Sequence, residues 1–368
     1  MNKVAIIGTG QTKFSKDEND VEKLLYDSSI NCINSIPELN KNKIDGVLVS
    51  TNSDSKYMGA ILSETLEIQP KISHTIENLC SSGTSAISSA FSYIASGLAD
   101  TILVSGADSS NNSGQVLKWD KTRGSYDLPI FWATMLTKIH KREFHTTEEE
   151  LAIVSAKNHK HAIENPNAYS NKAKTISEIM NSKQITDDLR LLDCSRSCSG
   201  SASIILTSEN TAKKITNEPI WIKGIGQKTT AASFTKNTFN SNSSTKLAGK
   251  MAYDMANILP DKIDVAEIHD AFTVCELMAV ADLGMSTNDE SGNYIRNLFN
   301  TENRRINPRG GLIGSGHPLG ATGVAQTIEI TQQLQGKAGK RQIPNVRNGL
   351  IHNMSAAGTS STVLVLSN

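Results

Sequence analysis

PIWIKGIGQKTT, residues 219–230, repeats the opening of the chain, VAIIGTGQTKF at 4–14. Gly8-x-Gly10-Gln11 returns as Gly224-x-Gly226-Gln227. Three more matches follow in the same order. NKIDGVLV (42–49) is echoed by DKIDVAEI (261–268), which sets Ile44 against Ile263. Cys80-x-x-Gly83 corresponds to His317-x-x-Gly320, and TILVSGADSS (101–110) is paralleled by GLIHNMSAAGTSS (349–361). Four matches in one order, with slowly growing offsets, predict two halves of one architecture. Each half reads strand, helix, strand, helix, strand, an α/β unit with helices on a mostly parallel sheet.

Cys80 stands at the centre of the first half. In ENLCSSGTSAISSAFSYIASG (77–97), Ala86, Ile87, Ala90, Phe91, Ile94 and Ala95 recur at spacings of three and four, one buried helical stripe. Ser81, Ser82, Gly83 and Ser85 before it read as a tightly packed first turn. A thiol at a helix N-terminus meets free N–H groups and the positive end of the macrodipole, which favour the thiolate and can hold a thioester oxygen under attack. A buried structural cysteine has the same local pattern. The repeat distinguishes the two: a pseudo-two-fold axis brings the helix starts at Cys80 and His317 together, pairing a nucleophile with a base.

The 37 basic and 37 acidic residues of the 368 cancel, which argues against a polyanionic partner such as nucleic acid. Five cysteines (32, 80, 194, 198 and 275), odd in number and irregularly spaced, point to a reducing compartment rather than a disulfide framework. Cys194 and Cys198, the one close pair, lack the partners of a zinc site, and no metal is expected. No apolar run approaches a membrane span, and the N-terminus reads as a strand, so a cytoplasmic, soluble protein is expected. Gly8-Thr9-Gly10 suggests a dinucleotide fingerprint, but position 13 is Lys13 instead of the third glycine. Between about 110 and 195 the α/β rhythm breaks into lysine-rich, Asn-rich turns and two polar helices near 128–142 and 147–164, an excursion folding over the core.

ENLCSSGTSA, AEIHDAFTVCE (266–276) and NPRGGLIGSGHPLGATG (307–323) resemble the three hallmark stretches of the thiolase superfamily. The His-Asp pair is similar to the archaeal and sterol-carrier-protein-type branch, as are LRLLDCSRSCSGSASIIL (189–206) and KNHKHAIENPNA (157–168). The resemblance implies a thiolase fold of two pseudo-two-fold-related βαβαβ halves in five layers, α-β-α-β-α. Residues 1–110 with 196–217 would form the N-terminal half, 111–195 a loop domain, and 218–368 the C-terminal half. It implies reversible Claisen condensation of two acetyl-CoA to acetoacetyl-CoA and CoA, coenzyme A thioesters being substrates with no separate cofactor. Cys80 would carry the acyl group, His317 accept its proton, and His269 polarise the second thioester. His140, Lys141 and Arg142 are either coenzyme contacts or a solvated basic face. A homodimer or homotetramer is implied, with hydroxymethylglutaryl-CoA synthase and a small acyl-CoA-binding protein as partners.

Two departures leave the second acid/base open. LIHNMSAAG carries His352 where other thiolases place a second cysteine, and Ala271 stands where the sterol-carrier branch places one. His352 and Cys275 are the candidates, His352 being preferred for an imidazole's near-neutral pKa. A decarboxylating, ketosynthase-like condensing enzyme, which needs no second thiol, and a non-catalytic acyl-CoA-binding subunit are the alternative readings.

Overall fold

The computed structural model describes residues 2–111 and 120–368. The strands are β1 (Val4–Gln11), β2 (Gly46–Ser50), β3 (Ile72–Ile76), β4 (Thr101–Asp108), β5 (Gln184–Thr186), β6 (Leu189–Arg190), β7 (Gly200–Ser208), β8 (Ile220–Thr229), β9 (Val265–Glu267), β10 (Asn348–Ser355) and β11 (Ser360–Ser367). The helices are α1 (Val21–Asn34), α2 (Met58–Thr65), α3 (Ser82–Ala95), α4 (Pro129–Phe144), α5 (Glu148–Ala162), α6 (Ile176–Met180), α7 (Glu209–Ile215), α8 (Ser243–Ala256), α9 (Thr273–Asp282), α10 (Ser291–Asn300), α11 (Gly311–Ser315) and α12 (Leu319–Leu334).

Nine strands run in the order β3-β2-β4-β7-β1-β8-β11-β10-β9, and β5 pairs with β6 separately. The order is a palindrome of equivalents, β1 with β8, β7 with β11, β4 with β10 and β2 with β9. The halves meet at β1 and β8 through Ala5–Trp221 and Ile6–Ile220. The counterpart of β3 in the second half shrinks to a single bridge between Ala266 and Ile306. The expectation of a mostly parallel sheet is corrected. Among the described strands only β2–β3, β2–β4 and β9–β10 are parallel, while β1, β4, β7, β8, β10 and β11 pair antiparallel. A tight turn joins β10 directly to β11, and such a turn permits only an antiparallel pair.

The five layers follow from period-two alternation on strands buried on both faces. Ile102, Val104, Ile204, Leu206, Ile351, Leu364 and Leu366 turn inward onto a core shared with α3 and α12. Leu103, Ala107 and Ile205 turn outward beneath α1 and α2, and Leu350, Val363 and Val365 outward beneath α8 and α9. The central pair α3 and α12 cross where a side chain has no room. A Cβ on Gly83 would lie 3.0 Å from the Gly320 carbonyl oxygen, and one on Gly323 2.7 Å from the Thr84 nitrogen. Backbone therefore meets backbone at the start of both helices, which brings residues 80 and 317 together. The excursion's α5 lies along α11, and Asn165 Nδ2 on the turn after α5 donates to the Arg309 carbonyl at 3.0 Å.

Candidate active site

Cys80 lies in a single 3₁₀ turn, Leu79–Ser81, just ahead of α3. Leu79 holds a left-handed φ of 48°, a strained conformation fixed by its surroundings. Asn52 Nδ2 and Ser82 Oγ donate to the Leu79 carbonyl at 3.1 and 2.6 Å, and Ser355 Oγ donates to the Asn78 carbonyl at 2.5 Å. The turn is thus tied to the end of β10. Just beyond that end, Ala356, Ala357 and Gly358 are consecutively left-handed, with φ of 42°, 65° and 81°. This turn directs the Ala356 N–H at the Cys80 sulfur. The expectation that the helix start favours the thiolate is corrected by burial. Desolvation outweighs the N–H contacts and pushes the Cys80 thiol up to about 12.

His317 follows α11, and its N–H donates to the Arg196 carbonyl at 2.8 Å. Its Nδ1 lies 2.7 Å from Thr322 Oγ1, and that hydroxyl donates to the Pro318 carbonyl at 2.9 Å. A hydroxyl has one proton to give, so Nδ1 is the donor and Nε2 carries a lone pair. Nε2 has no partner, and desolvation, with the Arg309 charge, holds the ring neutral by lowering its pKa to about 3. The helix beyond is pinned to the other half: the Gly320 N–H donates to Asp108 Oδ2 at 2.6 Å, and Ser50 Oγ donates to the Gly320 carbonyl at 2.8 Å.

His269 follows β9. Asn353 Nδ2 donates to its Nδ1 at 3.3 Å, so the proton sits on Nε2. Desolvation first, then His317 and His352, depress its pKa well below the usual imidazole range. Its neighbours on both sides are anchored. The Ile268 N–H donates to Asn307 Oδ1 at 2.7 Å, and Asp270 accepts the Leu312 and Ile313 N–H groups of α11 at 2.6 and 3.2 Å. Asn158 Nδ2 donates to both Asp270 and Glu276, at 2.7 and 2.8 Å, and Lys157 pairs with Glu276 at 3.0 Å. Buried Glu267 faces buried Arg309 at 3.5 Å. This ionic frame fixes the segments carrying His269 and His317 to each other and to α5.

The outcome is a compact triad. The sulfur of Cys80 and a ring nitrogen each of His269 and His317 all lie within 4.8 Å of one another. The two rings stand edge to face, 5.2 Å between centroids and 82° between planes. Their tautomers are complementary, a lone pair on one ring and an N–H on the other. The triad opens on a cavity of about 270 Å³ lined by Leu128, Ile130, Trp132, Phe272, Leu319 and Met354, with Cys194 also at its wall. Among the described residues these three side chains are also the cluster able to ligate a metal ion.

His352 is not brought to the cavity. It lies on the outward face of β10, its Nε2 3.0 Å from Thr245 Oγ1 and its Nδ1 accepting the His269 N–H at 3.5 Å. Desolvation lowers its pKa to about 3. Neighbouring strand residues point to opposite faces, so a place at the right strand end put the ring on the wrong side. Cys275 is buried on α9 and lines a separate, smaller cavity. His140 is buried against Thr146, Lys141 pairs with Asp188 at 2.9 Å, and Arg142 with Glu143 at 3.0 Å, so all three have local partners. Sequence reasoning missed Thr322, Asn353 and the Ala356 turn. Thr322, four residues after Pro318 where a helix hydroxyl reaches back to a carbonyl, had a readable signal.

The family model "Thiolase, N-terminal domain" matches residues 4–129, and "Thiolase C-terminal domain-like" matches 226–368. Acetyl-CoA acetyltransferase of Methanothermobacter thermautotrophicus is 30% identical over 384 residues, covering 100% of both chains. The protein of that name from Methanocaldococcus jannaschii is 31% identical, covering 99% of this chain and 98% of its own. A solved structure described as Ltp2-ChsH2(DUF35) aldolase superposes with a TM-score of 0.88 at 22% identity, over 99% of this chain and 97% of that one, a likeness of fold. With both halves matched, and full-length archaeal relatives at this identity, the chain belongs to the thiolase family.

Proposed function

We propose that this thiolase-family acyltransferase is an acetoacetyl-CoA thiolase, interconverting two acetyl-CoA with acetoacetyl-CoA and CoA through an acyl-Cys80 intermediate. The observation that carries the reading is the triad with its complementary tautomers. His317 Nε2 takes the Cys80 proton as the sulfur attacks the thioester, because its lone pair is fixed there by Thr322. A neutral thiol beside a neutral imidazole suits this: proton and nucleophile move together, and no thiolate waits in a desolvated site. The Ala356 N–H, already aimed at the sulfur, is placed to meet the oxyanion. His269 Nε2–H then supports the enolate oxygen of the second thioester. The archaeal relatives' name supports acetyl-CoA as substrate.

Thiolysis of acetoacetyl-CoA by free CoA tests the reading, with formation of acetyl-CoA as the expected result. The decarboxylating alternative draws on Ala271, the missing thiol. Condensation with a malonyl thioester but not with acetyl-CoA alone would establish it. A cytoplasmic setting and a homodimer or homotetramer belong to the same proposal. Strand β3, with its outer edge unpaired in the sheet order, is the surface favouring self-association. Hydroxymethylglutaryl-CoA synthase and a small acyl-CoA-binding protein remain proposed partners, on the resemblance of the motifs. Among the described residues no helix is long and apolar enough to cross a membrane.

A further inference from the structure

Condensation requires two proton carriers, one for the Cys80 thiol and one for the α-carbon of the second thioester. With His352 facing Thr245 and Cys275 in another cavity, neither expected residue serves the second task. Four titratable side chains among the described residues line the Cys80 cavity: Cys80, His269, His317 and Cys194. Cys80 carries the acyl group, His317 its proton, and His269 the enolate oxygen.

Cys194 comes from a distant segment but is held against the His-Asp motif. It forms an antiparallel bridge with Phe272, and the Ser195 N–H donates to the Ala271 carbonyl at 2.9 Å. Bridged residues share a face, so the Cys194 and Phe272 side chains lie side by side, and both line the cavity. Position 271, where the sterol-carrier branch has its second thiol, is the neighbour of that bridge partner and lines the same cavity as Cys194. The sulfur's contact is one long bond to the Arg190 carbonyl, 3.4 Å, which a weak S–H donor gives up at little cost. The partnerless Nε2 of His317, a residue 8% exposed, lines the same cavity.

We infer that Cys194 is a second catalytic thiol, the carrier of the α-proton, replacing the cysteine absent from position 271. The inference rests on the thiolase reading above. In the thiolytic direction, His317 takes the Cys80 proton and the sulfur bonds to C3 of the 3-oxoacyl thioester. The C2–C3 bond breaks, its electrons forming the enolate whose oxygen His269 holds. Cys194 gives its proton to C2, releasing the shortened thioester and leaving a Cys194 thiolate with a His317 imidazolium. His317 passes its proton to the Cys194 thiolate, restoring both, and incoming coenzyme A then gives its thiol proton to His317 and attacks acyl-Cys80. The departing Cys80 sulfur takes back the proton from His317, and every group returns to its starting state. Burial, which pushes the Cys194 thiol up to about 12, keeps that proton in place until a carbanion arrives to take it.

The test is hydrogen–deuterium exchange at the acetyl methyl of acetyl-CoA in D₂O, read beside acetylation of Cys80 by peptide mass spectrometry. In Cys194→Ala and Cys194→Ser, Cys80 acetylation should stay near the wild-type level while exchange falls by about 10²–10⁴-fold, the range for a lost acid–base group. Exchange persisting in both variants would overturn the assignment, and so would loss of Cys80 acetylation in both, the mark of a structural thiol. If the wild type acetylates Cys80 but does not exchange, this inference fails and the acyl-enzyme part of the reading stands. Absence of Cys80 acetylation in the wild type brings down both.

Discussion

The two halves share one topology and differ in how many buried charges surround their active-site residues. In the N-terminal half the interior around β4 and β7 is knitted by neutral hydroxyls. Ser28 Oγ lies 2.5 Å from Ser201 Oγ and 2.7 Å from Ser203 Oγ, Ser105 and Ser203 are 2.8 Å apart, and Thr101 and Thr207 2.8 Å. In the C-terminal half the segments carrying His269 and His317 are framed by Glu267, Asp270, Glu276 and Arg309, all buried, with buried Lys157 reaching in from the excursion. The N-terminal half supplies the nucleophile and the C-terminal half both imidazoles. Duplication explains why residues 80 and 317 meet, and divergence of the surroundings explains why one is a thiol and the other a base.

Substitution of the paired imidazoles breaks the comparison most sharply, because each serves a different half-reaction. His317→Ala should slow acylation of Cys80 by about 10²–10⁴-fold, the loss of an acid–base group. His269→Ala should leave acylation near normal and depress condensation by about 10²–10³-fold, the loss of one oxyanion donor. Burst kinetics with acetyl-CoA against steady-state condensation separates the two. Equal loss in both half-reactions for His269→Ala would make it part of the frame rather than of the chemistry.

A smaller effect is expected at His352, where the frame alone is at stake. Its folded pKa, about 3, lies below the ordinary imidazole value of 6.5. The unfolded chain therefore binds the proton first as pH falls, and the stability His352 contributes above pH 6.5 is lost on the way down to about 3. His352→Gln should destabilise the protein at pH 7, and this cost should shrink by about 1.4 kcal/mol per pH unit below 6.5. Urea unfolding of both proteins at pH 7, 6 and 5 measures it. A cost constant with pH would mean that the ring takes up its proton in the fold as readily as in the unfolded chain.

How much of this was legible in the sequence depends on how local each signal is. The order of elements, the duplication and the meeting of Cys80 and His317 were readable, because glycine spacing and apolar periodicity are written in neighbouring residues, whereas His269 entered through the resemblance of its motif. The antiparallel placement of β7 and β11 was not, since it depends on where a strand enters the sheet rather than on its composition. Nor was the direction of the Cys80 shift: a helix start was visible, but the burial that outweighs it is contributed by residues from both halves. His352 shows how motif position misleads when strand alternation sets the facing side. Cys194 was seen only as half of a close pair, because its bridge partner, Phe272, belongs to a distant stretch of the chain.

The central claim is that the N-terminal half's thiol, Cys80, carries the acyl group. Peptide mass spectrometry after exposure to acetyl-CoA tests it most directly. The account predicts a single acetyl on Cys80, absent in Cys80→Ala. Acetylation of Cys194, Cys198 or Cys275 with Cys80 unmodified would contradict it.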